Sequence, residues 1–281
     1  DNVLLGINTA ESFHAVLNAV LRQNRNFEAI IVTGDLSQDY TRESYKRFAE
    51  LVKPLNKPVY WLPGNHDDGP LMRRVMPEFG ISTARCVVIG KWQFVLLNTQ
   101  VYSVPHGWIM PDQLAYLKAC LQTHPDLYTV VCLHHNTFPL NSAWLDQHEL
   151  RNKQELLEIV YSNPQIKLVL CGHVHQEHDF VERDVRFIST PSTSIQFLPY
   201  SFNFSLDQNG PGWRYLTFKD DGSIETEVYR LPPGLFMPDF AIGGYYPDMS
   251  IGDLLKIVDD FRTDCIEQLQ AIIDSDNKED K

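Results

Sequence analysis

The sequence predicts a layered α/β fold. Apolar runs of strand length alternate with amphipathic, helix-like segments as far as residue 171, which is the pattern of a sheet covered by helices. From Arg186 onward these segments give way to apolar runs that are separated by Gly, Pro and Asp turns. The 281 residues contain no internal repeat and no low-complexity linker, so we expect one domain followed by a distinct tail.

Helices are predicted from apolar spacing and from residues that favour helix ends. Asn8 is placed to cap the first helix, with Glu11 three residues on as its reciprocal partner. In the fourth helix Leu114, Leu117 and Leu121 recur at spacings of three and four, which puts them on one face. The predicted helices cover residues 8–24, 41–55, 71–79, 111–122 and 150–162.

Strands are predicted where short apolar runs lie between turn-forming residues. Those that alternate with the helices cover residues 29–35, 58–67, 85–89, 92–98, 128–134 and 166–171, and the second of them runs into a loop. The later strands follow one another without a helix, at residues 186–191, 202–207, 212–218 and 223–231.

The tail, residues 246–281, has a different pattern. Its apolar residues fall at spacings of three and four, which predicts one amphipathic helix of about seven turns. They are Ile251, Leu254, Leu255, Val258, Phe261, Cys265, Leu269 and Ile272. We expect this helix to dock on its own domain, and we keep a homodimer formed through it as the alternative.

Composition excludes several classes of function. A net charge of −12 argues against a nucleic-acid binder, because such proteins carry a basic face that neutralises phosphates. An anionic small substrate would therefore need a metal or a few well-placed cations. No apolar stretch reaches the roughly 18 to 20 residues of a membrane span. The five cysteines are scattered through apolar runs, which is typical of reduced thiols in a cytoplasmic protein.

Polar clusters follow four of the predicted strands. They are Gly34-Asp35, Gly64-Asn65-His66-Asp67, His134-His135 and Gly172-His173-Val174-His175. Ligands of open α/β sheets bind outside the carboxyl ends of strands, so separate clusters can converge on one site. A carboxylate, a carboxamide and three or more imidazoles suit Zn, Mn or Fe better than Mg or Ca. The glycine before a cluster lets the backbone turn sharply.

Each cluster also has a simpler interpretation. Gly-Asp after a strand is a common turn, and the histidine of GNHD could lie on the surface. The pair His173 and His175 is harder to explain by packing, because two near-adjacent histidines have no packing advantage over Val or Leu. All four clusters in this order, each at a strand end, favour a metal site.

The order GD, GNHD, H and GHxH resembles that of the calcineurin-like metallophosphoesterases. The segments WLPGNHD, VPHG, LHH, WLDQHELRN, LCGHVHQE, TPSTSIQF and PGWRYL are similar to those of bacterial class III 3′,5′-cyclic AMP phosphodiesterases, from about Leu5 to Tyr245. The resemblance implies a four-layer α/β/β/α sandwich over residues 1–245, with the tail helix as an addition. It also implies a dinuclear centre of Fe, Mn or Zn that cleaves cyclic AMP to 5′-AMP through in-line attack by a metal-bridging hydroxide.

The resemblance assigns roles to individual residues. The metal ligands would be Asp35, Asn65, His134, His173 and His175. Asp35 would bridge both metals and His175 would bind the first, while the other three would bind the second. His66 would act on the substrate phosphate as a hydrogen-bond donor or proton source, with Asp67 orienting its ring. Asn65 and His175 would contact the substrate together with His66.

The chain departs from the family in one respect. The family opens with an Asp-x-His motif on its first strand, which supplies two ligands of the first metal, and nothing here matches it. We expect that strand to lie upstream of Asp1. If it is absent, the chain could be an inactive relative that serves as a binding scaffold. A metallophosphoesterase acting on another phosphoester is the other alternative.

The base of a cyclic nucleotide has a less certain binding site. Residues 144–152 and 192–197 belong to the segments typical of the cyclic-nucleotide subgroup, and Phe197 could stack on a base. The same residues could equally be structural, and His106 and His148 are undecided in the same way.

Overall fold

The computed structural model describes residues 3–244 of the chain. The residues up to Ala241 form one compact unit. The helices are α1 (Thr9–Gln23), α2 (Arg42–Val52), α3 (Gly69–Val75), α4 (Pro111–Thr123) and α5 (Lys153–Ser162). The strands are β1 (Val3–Leu4), β2 (Ile7–Asn8), β3 (Ile30–Val32), β4 (Val59–Trp61), β5 (Cys86–Ile89), β6 (Trp92–Leu96), β7 (Tyr128–Leu133), β8 (Ile166–Cys171), β9 (His178–Glu182), β10 (Val185–Ser189), β11 (Gly212–Phe218) and β12 (Ile224–Arg230).

A six-stranded sheet forms the centre of the fold, in the order β5-β6-β7-β8-β10-β9. Its inner strands β6, β7, β8 and β10 are parallel, and β5 and β9 pair antiparallel at the two edges. Helix α4 connects β6 to β7 and helix α5 connects β7 to β8. Such crossovers are right-handed, so the two helices cover the same face of the sheet.

A second layer of strands covers the other face. It contains the parallel pair β3-β4 and the antiparallel pair β11-β12. Ile31 and Tyr60 of the first pair and Phe218 of the second pack into a core with Trp92 and Phe94 of the six-stranded sheet. Helices α1, α2 and α3 pack on the outer side of β3-β4. The layers therefore follow the α/β/β/α order that the sequence resemblance implies.

Most of the predicted elements are confirmed, with ends shifted by a few residues. The cap is also confirmed, since Asn8 Oδ1 accepts the Glu11 N–H at 3.2 Å and Asn8 Nδ2 donates to the Glu11 carboxylate at 3.0 Å. The strand predicted at 202–207 is wrong, because only a single bridge between Phe197 and Leu206 forms there. Strand β9, the outer edge of the sheet, is not among the predictions.

The predicted tail helix, and a homodimer formed through it, lie outside the described residues. Within residues 3–244 no helix is both long and apolar enough to cross a bilayer.

Candidate metal centre

The four polar clusters lie at the carboxyl ends of parallel strands, two from each sheet layer. β3 leads to Asp35 and β4 to Asn65, whereas β7 leads to His134 and β8 to His173. The two layers meet here, because His134 Nδ1 donates to the Thr33 carbonyl oxygen at 2.7 Å. The structure thus brings together side chains that the sequence distributes over four separate clusters.

The Nε2 atom of His134 lies at the centre of this group. Since a carbonyl oxygen only accepts hydrogen bonds, the neutral ring carries its hydrogen on Nδ1 and a lone pair on Nε2. Asn65 Oδ1 lies 3.0 Å from Nε2, Asp35 Oδ2 lies 3.3 Å away and His173 Nδ1 lies 3.2 Å away. With both rings neutral, these four atoms have at most one ring hydrogen to share, so a bound cation would stabilise them far better than hydrogen bonds can.

The same crowding sets the pKa values of Asp35 and His134. Burial would raise the pKa of Asp35, but the adjacent His134 and His66 hold it well below its usual value. Burial would lower the pKa of His134, but the Asp35 carboxylate raises it. Asp35 is therefore ionised at neutral pH, and the His66 backbone N–H donates to its Oδ1 at 3.0 Å.

Glycines permit this close approach. A Cβ at Gly64 would lie 2.0 Å from Asp35 Oδ1, and one at Gly172 would lie 2.7 Å from the Thr33 carbonyl oxygen. Gly34 has a φ of +99°, as a sharp turn requires. A tight turn also begins at Gly64 and at Gly172, since the Asp67 N–H donates to the Gly64 carbonyl oxygen at 3.3 Å and the Val174 N–H donates to the Gly172 carbonyl oxygen at 2.6 Å. Neither glycine has positive φ, so close contact between the strand ends is the reason for glycine there.

The buried imidazoles fit a metal. His173 Nε2, His175 Nδ1 and His135 Nε2 are buried and find no hydrogen-bond partner within residues 3–244. Burial lowers the pKa of His175 to about 4 and holds those of His173 and His135 well below the usual value. Neutral rings with unshared lone pairs are what a transition metal binds, whereas a polar core without a metal would leave them destabilising.

Asp67 is placed beneath the site rather than on its open side. Its carboxylate accepts the backbone N–H groups of Gly64 at 2.9 Å and of Leu36 and Ser37 at 3.1 Å. Burial and the neighbouring Asp35 raise the pKa of Asp67 to about 7. These contacts connect the loop after β3 to the loop after β4. That Asp67 orients the His66 ring stays a prediction.

The family model for Calcineurin-like phosphoesterase matches residues 8–177, which include every ligand candidate. The chain belongs to this family. The chain is 46% identical over 243 residues to the 3′,5′-cyclic adenosine monophosphate phosphodiesterase CpdA of Haemophilus influenzae, covering 86% of this chain and 89% of that one. It is 45% identical to CpdA of Escherichia coli strain K12, covering 86% and 88%.

A solved structure supports the same fold. The calcineurin-like phosphoesterase described here superposes on a dimetal phosphatase from Danio rerio with a TM-score of 0.53. The match covers 74% of this chain and 84% of that one at 13% sequence identity, so the likeness is one of fold alone.

His135, which the predicted ligand set leaves out, lies beside the candidate ligands of this calcineurin-like phosphoesterase. The ligand atoms of His134, His135 and His173 all lie within 4.8 Å of one another. Thr99 Oγ1 lies 2.8 Å from His135 Nδ1 and orients the ring. The consecutive histidines are the available signal, but neighbours on a strand point to opposite faces. Strand β7 ends at Leu133, so the pair lies on a turn where that rule no longer applies.

Phe197 does not have the position that base stacking requires. Its ring is 3% exposed and lies flat against His175, with ring centroids 4.4 Å apart and an interplanar angle of 2°. Trp144 packs edge-on against Phe197 at 5.0 Å. The structural interpretation of Phe197 is therefore the correct one, and its ring supports the His175 imidazole.

The two undecided histidines, His106 and His148, differ in burial. The His148 ring lies 6.3 Å from the His173 ring and 5.9 Å from Trp144, and burial lowers its pKa. His106 is more exposed, and partial burial followed by the charge of Arg151 lowers its pKa. His148 thus lies beside the candidate ligand His173, whereas the role of His106 stays undecided.

We expect the metal-free protein to lose stability as the pH falls from about 6.5 towards 4. His135, His173 and His175 have lowered pKa values, so in this range they stay neutral when folded and take up protons when unfolded. Asp67 acts in the opposite sense, because its pKa of about 7 adds a proton to the folded chain only. On acidification, the three histidines together lower the free energy of unfolding by more than Asp67 raises it.

Thermal unfolding in a chelator across this range is the measurement. His175 alone, with its pKa lowered to about 4, would account for about 3 kcal/mol of the loss in unfolding free energy. A His175→Asn variant lacks the titrating ring and should show a shallower dependence. A midpoint that stays constant or rises on acidification would contradict the prediction.

Proposed function

We propose that this chain hydrolyses 3′,5′-cyclic AMP to 5′-AMP at a dinuclear metal centre. The close approach of Asp35 Oδ2, Asn65 Oδ1 and His173 Nδ1 to His134 Nε2 is the observation that supports the metal centre. The substrate is supported by the CpdA relatives, whose similarity extends over 86% of this chain.

The ligand set divides between two metals. Asp35 has two carboxylate oxygens and would bridge them. Asn65, His134 and His173 would hold one metal and His175 the other, and mixed nitrogen and oxygen donors suit Fe, Mn or Zn. When bound, two such ions lower the pKa of a water and neutralise the charge of a phosphodiester. For a chain of net charge −12, this local positive charge is needed to attract an anionic substrate.

His66 is the residue that we propose to act on the leaving group. Hydrolysis forms a bond from water oxygen to phosphorus, breaks the bond from phosphorus to the 3′ oxygen, and leaves a proton on that oxygen. The His66 backbone is held by Asp35 Oδ1 at 3.0 Å, so its ring starts from a fixed point beside the ligands. A ring N–H of His66 would donate to the departing 3′ oxygen, while Asn65 and His175 would contact the phosphate from the metal side.

The proposal is tested by product analysis on the full natural chain, reconstituted with Mn. Cyclic AMP, a glycerophosphodiester, a nucleoside monophosphate and a phosphoprotein are supplied side by side. We expect 5′-AMP from cyclic AMP at the highest kcat/KM, and about two metals per chain by elemental analysis.

Two other outcomes would contradict the proposal. Faster turnover of another phosphoester would indicate a different substrate for the same centre. Bound metal without turnover of any of them, or no bound metal, would favour the binding scaffold.

A cytoplasmic location belongs to the same proposal. The four described cysteines, Cys86, Cys120, Cys132 and Cys171, are free thiols and three of them are buried, which agrees with a reducing compartment.

A further inference from the structure

The loop of residues 99–107 runs beside the metal centre and is attached to it near both ends. Thr99 Oγ1 contacts His135 Nδ1 at 2.8 Å, and Gln100 Nε2 donates to the Gly64 carbonyl oxygen at 2.8 Å. At the other end, a Cβ at Gly107 would lie 2.6 Å from the His135 ring. The middle of the loop is therefore held next to the turns that carry the ligands.

The side chain presented there is Tyr102, which is 47% exposed. Its ring lies 6.4 Å from the ring of Tyr40 at an interplanar angle of 35°. The Tyr40 hydroxyl in turn donates to the backbone carbonyl oxygen of Asn65 at 3.5 Å. The rings of Tyr40 and Tyr102 thus lie one after the other between Asn65, a proposed metal ligand, and the solvent.

The position of Tyr40 is fixed by its backbone. Its φ of +58° lies in the left-handed region, which is unfavourable for a bulky residue. The Ser37 hydroxyl accepts the Tyr40 N–H at 2.9 Å and holds this conformation. Such conformations persist only where surrounding contacts impose them, and they are concentrated at binding sites.

The chemistry of this surface fits a neutral, flat ring. Asp39, beside Tyr40, carries a carboxylate whose pKa is lowered, since hydrogen bonds from Ser44 and Thr41 outweigh its burial. A second anion would be repelled there, whereas a nucleobase is uncharged and stacks on aromatic rings with little regard to sequence.

We propose that Tyr102, supported by Tyr40, is the surface on which the nucleobase of the substrate stacks. This rests on the proposed function, which places the phosphate beside Asn65 and His66. The competing aromatic surface lies in the segment between β10 and β11, where Tyr200 is 74% and Phe202 is 80% exposed. Tyr102 is favoured because its contacts lead through Tyr40 to the backbone of Asn65. On the other side, Phe197 is packed against His175 and Trp144 is packed against Phe197.

The experiment compares Tyr102→Ala, Tyr102→Phe and Phe202→Ala in the Mn-loaded full chain. Calorimetry measures the Kd of 5′-AMP and of inorganic phosphate, which has no base, and kinetics measures KM and kcat for cyclic AMP. We expect Tyr102→Ala to weaken 5′-AMP binding and raise KM about tenfold, with a much smaller change in kcat and in the Kd of phosphate. Tyr102→Phe keeps the ring and should restore binding, and Phe202→Ala should resemble the natural protein.

The outcomes separate the inference from the function on which it rests. Unchanged 5′-AMP affinity in Tyr102→Ala, equal weakening of 5′-AMP and phosphate, or a loss seen in Phe202→Ala instead would overturn the role of Tyr102. If the natural chain binds phosphate but gives no 5′-AMP from cyclic AMP, the proposed function fails first. In that case, tighter binding of 5′-AMP than of phosphate that depends on Tyr102 would still support a nucleobase surface.

Discussion

Replacing Asp35 by asparagine should abolish metal binding and turnover together. Asparagine has nearly the same volume, but it loses the negative charge and one of the two lone-pair oxygens that lie 3.3 Å from His134 Nε2 and 3.0 Å from the His66 N–H. Loss of a residue that only hydrogen-bonds to a metal ligand costs about 10- to 100-fold in metal affinity or activity. Loss of the proposed bridging carboxylate should lower metal affinity and activity by more than about 100-fold each.

The measurement is metal content per chain after gel filtration, with cyclic AMP hydrolysis on the same sample. Asp179→Asn is a matched control, because Asp179 forms a partly exposed ion pair with Arg186 on the β9-β10 hairpin and contacts none of the ligands. An Asp35→Asn protein that retains both metals and turnover would show that the centre is not built around this carboxylate.

Replacing His66 by alanine should lower kcat for cyclic AMP by about 10²- to 10⁴-fold and leave the metals in place. The contact of His66 with Asp35 is made by the backbone N–H, which alanine preserves, so only the ring is lost. A lower kcat with the metals retained would distinguish a residue that acts on the leaving group from a residue that binds metal.

A substrate with a better leaving group gives the sharper test. Bis(p-nitrophenyl) phosphate releases a stable phenolate that needs no proton, so its turnover should fall far less in His66→Ala than that of cyclic AMP. Equal losses on both substrates would instead indicate a general effect on phosphate binding. His14→Ala is the control, because His14 is an exposed residue of α1 that contacts Asn18.

The strand ends explain why much of the site could be predicted. Each cluster of glycine and polar residues that follows an apolar strand can be recognised from the local sequence. Because the carboxyl ends of parallel strands meet at one edge of a sheet, these clusters are expected to lie close together. That reasoning predicts that the four clusters converge, whereas the choice of Asp35, Asn65, His134 and His173 within them is what the family resemblance implies. In the structure, side-chain atoms of Asp35, Asn65 and His173 lie within 3.3 Å of His134 Nε2.

Contacts between distant residues account for what the sequence did not reveal. The contact that makes glycine necessary at position 64 is with Asp35, and no local pattern encodes it. Tyr40 and Tyr102 lie in loops whose sequences give no sign that they meet. At 202–207 Phe204 packs against Trp144, with ring centroids 5.1 Å apart, instead of taking part in strand pairing.

The hydrogen bond from His134 to Thr33 also bears on the order of events during synthesis. The proposed donors extend from residue 35 to residue 175 and come from both sheet layers, so neither layer alone offers a complete site. A metal that binds the assembled layers and not the separate ones stabilises the assembled form by mass action. On the proposed function, a metal would therefore bind only after both layers have assembled, and it would then stabilise the contact between them.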